Sequence, residues 1–93
     1  MEAEPAARDI CEVDLNGVAL LLKPRQYAMF DLLIAAGDGV CVSGDSLKAA
    51  HGGSDGAFFD DLRAMRALFA ECAGYTIAGV RGEGYHLSPL GAA

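Results

Sequence analysis

Phe58, Leu62, Met65 and Phe69 recur at i, i+4, i+7 and i+11. That spacing lines large apolar side chains along one face of an α-helix. Ser54 or Asp55 stands where such a helix needs an N-cap, and Gly74 stands where it would stop. A helix with one apolar stripe gains most of its stability by laying that stripe on other elements. The rest of a 93-residue chain must therefore supply the cover, which means one domain with one modest core.

The covering elements can be read in order. In "ICEVDLNGVALLL", the apolar residues Ile10, Cys11, Val13 and Leu15 precede Asn16-Gly17, the dipeptide that most strongly signals a two-residue β-hairpin turn. Pro24 then suits the first turn of a helix, where a missing N–H costs nothing, and "PRQYAMFDLLIAAG" runs helically to Gly37. At 100° per residue, Tyr27, Phe30, Leu33 and Ile34 are expected to form its buried face with Met29 beside it, leaving Ala28, Asp31 and Ala35 outward. A short extended piece is expected at Val40 to Val42. Ser43 then caps a helix of about two turns through Leu47 and Ala50, ended by Gly52-Gly53. After the striped helix, "YTIAGVRGEGYHLS" is β-prone on both sides of Gly82-Glu83-Gly84 and reads as a second hairpin.

The Gly-x-Gly in that last stretch could be a phosphate cradle, part of a metal or catalytic site, or a turn. As a dinucleotide fingerprint it lacks the third glycine and the following helix. A turn needs only what glycine supplies, a positive φ or room for close approach. The expected fold class is thus α+β: an N-terminal β-hairpin, three helices with a helix-turn-helix, and a C-terminal β-hairpin, the winged-helix plan. The folded part is expected over residues 9–88, with loose tails over 1–8 and 89–93.

Composition removes several function classes. No apolar run approaches the roughly 18 residues of a membrane span, and "MEAEPAARD" lacks a secretory layout, so no membrane association and a cytoplasmic location are expected. Cys11, Cys41 and Cys72 form no C-x-x-C pair and read as reduced, buried or half-buried small apolar residues. His51 and His86 read as ordinary surface or edge residues, so neither a metal site nor a cofactor is expected. Asp60 and Asp61 are adjacent on a helix and diverge by 100°, a poor acid/base dyad, and no nucleophile–base pair suggests an enzyme. The formal charge of −6 repels nucleic acid at long range.

Four stretches, in order, carry a family resemblance: "LKPRQYAMFDLL", "VSGDSLKAAHGG", "DDLRAMRALF" and "VRGEGYHL". Together they resemble the C-terminal winged-helix effector domain of OmpR/PhoB-type response regulators, over about Val13 to Leu87. The wing segment is the most specific. The resemblance implies a transcriptional regulator that binds double-stranded DNA through helix 57–72 and wing 76–88. It implies Arg63 as a base-edge or phosphate contact, Arg66 as a phosphate contact near the edge of the buried stripe, Arg81 as the wing's minor-groove contact, and Tyr85 as a retained wing residue of the same DNA-binding set.

Departures from the family pattern pull the other way. Asp61 stands where the family often has His, Ala64 where it has Arg, Gly56 where a basic or polar residue opens the helix, and Gly79 where the wing has Thr. The loop "HGGSDGAF" is short for the family, the N-terminal sheet is cut to two or three strands, and control through a receiver-domain Asp is not expected in this chain. Opposite the apolar stripe lie Asp60, Arg63, Ala64, Ala67 and Glu71, and Asp60 is placed to pair with Arg63 at i,i+3. The alternative reading is therefore a winged helix that binds a protein, another transcription factor or RNA polymerase, through Asp60, Asp61, Ala64, Ala67 and Glu71. On the DNA reading, homodimerisation or tandem sites would offset weak contacts.

Overall fold

The computed structural model describes residues 10–90. The segments expected as tails at 1–8 and 91–93, and Asp9 at the expected domain start, lie outside the described residues. The described chain is a small α+β fold of two antiparallel hairpins and three helices.

The first hairpin pairs β1 (Cys11–Leu15) with β2 (Val18–Leu22). Asn16 and Gly17 both take positive φ, 57° and 80°, as a type I′ turn requires, and the Asp14 carboxylate accepts the Gly17 N–H. Alternation then sends Val13, Leu15, Leu20 and Leu22 inward and leaves Glu12, Asp14, Ala19 and Leu21 outside. The Asn16 side chain also donates to the carbonyl of Ala73, which fixes this turn to the end of the long helix.

Helix α1 (Pro24–Ala36) begins with proline at its first position, and Gln26 Oε1 accepts the N–H of the N-cap residue Lys23. Its buried face differs from the expected one: Gln26, Met29, Phe30 and Leu33 point inward, whereas Tyr27 and Ile34 are 40% and 42% exposed. Apolar residues lie on nearly every side of this helix, so periodicity leaves its phase open. The inward turn of Gln26, which serves the N-cap and a contact described below, decides it.

Val42 forms an isolated bridge with Tyr85, while Val40 is exposed and takes part in a turn back to Gly37 instead of extending the strand. Helix α2 (Gly44–His51) is capped by Ser43, whose Oγ accepts the Ser46 N–H, and ends at left-handed Gly52. Helix α3 (Asp55–Cys72) is capped by Ser54, not Asp55, and buries the expected stripe of Phe58, Leu62, Met65 and Phe69. The second hairpin pairs β3 (Tyr75–Val80) with β4 (Gly84–Pro89). Pro89 therefore belongs to the fold rather than to a tail, and the Leu90 N–H reaches the Gly74 carbonyl.

One core joins these elements. Phe69 meets Phe30 edge to face at 5.7 Å, and Leu47, Ile77 and Leu87 close around the stripe. Each such fully buried side chain contributes about 1.5–3 kcal/mol relative to exposure. Of the cysteines, Cys11 and Cys41 are half-buried, as read, but Cys72 is exposed because it follows the outward side of the last helical turn. No helix among the described residues is long and apolar enough to cross a membrane.

Candidate functional site

The C-terminal hairpin docks on the segment that enters α2. Val42 and Tyr85 exchange N–H···O bonds of 2.7 and 2.9 Å, and the Gly39 N–H donates to Leu87 O. Gly84 makes the approach possible: with φ 116° it passes so close to the Val42 carbonyl that a β-carbon would collide with it. Gly79, opposite Tyr85 across the hairpin, leaves the space that the Tyr85 ring covers, and the same ring lies over Gly44 and meets Phe58 edge to face. Tyr85 is thus half-buried and works as the packing piece of this joint.

Between the joint and the hairpin tip lies an open cleft lined by Ser43 to Asp45 and Gly79 to Tyr85. Arg81 stands at the tip, exposed and without an ion pair or hydrogen bond among the described residues. Asp45 and Glu83 line the same cleft.

On α3, Asp60, Arg63, Ala64, Ala67 and Glu71 are exposed together, as the helical period requires. Arg63 Nη1 donates to Asp60 Oδ1 at 3.1 Å, with the two side chains 72% and 74% exposed. An exposed pair of this kind is worth about 0–1 kcal/mol, so a stronger anion can take Arg63 away from it. Arg66 is exposed, and its Nε donates to the Ile77 carbonyl at 2.9 Å, tying α3 to β3.

Asp61 does not belong to the exposed face. One turn from the stripe, it faces inward, where its Oδ2 lies 2.8 Å from His51 Nε2 and its Oδ1 accepts the Gln26 Nε2 amide at 3.2 Å. His51, expected at the surface, is 2% exposed, and its Nδ1 accepts the Gly53 N–H. His86 is half-buried on β4, beside the Leu87 carbonyl. Sequence reasoning missed this cluster because its members are 10 and 35 residues apart and each alone resembles a surface polar residue. The one available signal was Gln26 three residues after Lys23, the second half of a capping box.

Phe59 was also unassigned. It is 43% exposed at the start of α3, with Lys48 Nζ 5.4 Å above its ring and 3.9 Å from Asp55. Tyr75 donates to Asp38 at 2.7 Å, and that hydrogen bond is the main cause that raises its pKa above 10.0. No group of three or more His, Cys, Asp or Glu side chains among the described residues is placed to hold a metal ion.

No family model matches this chain, and no curated protein or solved structure matches it either. The candidate site therefore rests on its own geometry: a docked hairpin whose turn carries an arginine with no partner among the described residues, beside a helix that presents one weakly held arginine among acids and alanines.

Proposed function

We propose that this chain is a winged-helix module of the OmpR/PhoB effector type that regulates transcription by binding double-stranded DNA, with α3 in the major groove and the β3–β4 hairpin as its wing. The observation that carries the reading is Arg81, exposed in the turn of a hairpin whose turn end is locked to the segment before α2 by Tyr85 and Val42, and free of ion pairs and hydrogen bonds among the described residues. A cation held out on a rigid β-ribbon suits insertion into a narrow minor groove. Arg63 would supply the second contact, at the cost of a weak surface pair.

The inward turn of Asp61 supports the same reading. Its carboxylate is taken up by His51 and Gln26, so one of the two adjacent acids on α3 is withdrawn from the face that would meet phosphates. Binding would still be weak. With two or three cations on the contact, the slope of log K against log salt should be only about −2 to −3, which makes dimerisation or tandem sites useful.

A second reading, a protein-binding winged helix, is favoured by the remaining surface of α3. Asp60, Glu71, Ala64 and Ala67 offer acids and small side chains where a DNA reader usually offers donors. The two separate in a titration of random-sequence duplex at low salt. DNA binding that falls in Arg81→Ala supports the first; a folded protein that binds no duplex leaves the second.

A further inference from the structure

The polar cluster beneath α3 has a direction. The Gly53 main-chain N–H can only donate, and His51 Nδ1 receives it at 3.1 Å, so the ring's proton is on Nε2, which faces Asp61. At the other end the Lys23 main-chain N–H can only donate, and Gln26 Oε1 receives it at 3.0 Å, which turns the Gln26 amide nitrogen toward Asp61. Two backbone donors, one at the start of α1 and one after α2, therefore force both side-chain relays to arrive at position 61 as donors. The residue there must accept at both of its terminal atoms. An ionised carboxylate offers one oxygen to each relay, whereas an asparagine sets its own N–H groups against one of them.

The place of this cluster gives it a task. Only Gly52-Gly53-Ser54 join α2 to α3, and Gly52 is left-handed, so the turn itself does little to fix the angle between the helices. The cluster ties that turn, the N-terminus of α1 and the second turn of α3 to one carboxylate. Gly53 fits beneath it closely: a β-carbon there would run into the Arg25 guanidinium and the His51 ring.

We infer that Asp61 is a positioning residue, a double acceptor that holds α3 at a fixed angle to α1 and α2 and so sets how the exposed face of α3 meets its target. Only the nature of that target rests on the function proposed above. The hydrogen-bond logic also specifies a rescue, Asp61→Asn combined with Gln26→Glu. In that double variant the new amide at position 61 would accept from His51 and donate to the new carboxylate at position 26, which would still accept from the Lys23 N–H. The charge is moved from one side chain to its neighbour and each hydrogen bond of the cluster again pairs a donor with an acceptor.

The test uses the full chain without DNA: amide hydrogen exchange at Lys23 and Gly53, and the imidazole nitrogen shifts of His51, in the parent, each single variant and the double variant. Each single variant is expected to speed exchange at both amides by about tenfold, because a buried donor or acceptor pair is opposed. The double variant is expected to return to within about threefold of the parent with the Nε2–H tautomer intact. Unchanged exchange in Asp61→Asn, an additive double variant, or a double variant that does not fold would each overturn the inference. A failure of DNA binding in the parent would leave these readouts unaffected, so it would count only against the proposed function.

Discussion

Tyr85 and Val42 exchange both of their backbone hydrogen bonds, and with Gly39 donating to Leu87 this bridge makes the C-terminal hairpin part of the fold rather than an appendage. Gly84 beside it has no room for a β-carbon against the Val42 carbonyl. Gly84→Ala is expected to cost about 2–4 kcal/mol in urea unfolding, through strain at a positive φ and displacement of the bridge. The Val42 amide should lose its exchange protection. A variant as stable as the parent would contradict the docking geometry.

Arg66 should behave as a structural residue first. Removing its bond to Ile77 leaves a carbonyl on the outer edge of β3 without a partner. Arg66→Ala is expected to lower stability by about 1–2 kcal/mol in the same assay. Unchanged stability would return Arg66 to the role of a pure surface contact.

Asp60, like Glu71, is an acid that α3 presents to a target. Asp60→Asn should change stability by no more than about 0.5 kcal/mol, since its pair with Arg63 is exposed. On the DNA reading it should strengthen duplex binding roughly threefold at low salt and steepen the salt slope by about one. Fluorescence anisotropy at several salt concentrations measures both, and no gain in binding would count against the electrostatic argument.

Tyr75 sets a pH dependence. The hydrogen bond to Asp38 raises the folded-state pKa above the unfolded value of 10.0, so the neutral phenol is favoured in the fold. The stability this contributes is fully present below the unfolded pKa and is lost as pH rises through the higher folded pKa. Unfolding curves of the parent and Tyr75→Phe should therefore differ at neutral pH and converge above that range. A difference that persists at high pH would mean that packing, not the hydrogen bond, is being measured.

The elements with strong local signals were legible in the sequence. Asn16-Gly17 specified its turn, Ser43 its cap, and the stripe from Phe58 to Phe69 its buried face, while the cap of α3 was narrowed to Ser54 or Asp55. What was not legible depends on contacts between distant residues. The phase of α1 followed from Gln26 turning inward, which no periodicity could show because that helix is apolar on most sides. His51 and Asp61 look like surface residues until α2 and α3 are folded against each other. At the candidate site the exposed face of α3 and the Asp60–Arg63 pair could be read from helical spacing, whereas the engagement of Arg66 with β3 and of Tyr85 with Gly79 could not.

The central claim is that the helix and wing read DNA despite a net charge of −6. The most direct measurement is selection of the purified protein against fragmented genomic DNA from its own organism at low salt, with Arg81→Ala alongside. The expected result is enrichment of a shared sequence motif that disappears in the variant while the variant stays folded. Equal enrichment by parent and variant, or none by a folded parent, would contradict the claim, and the face formed by Asp60, Ala64, Ala67 and Glu71 would then be the surface to test against protein partners.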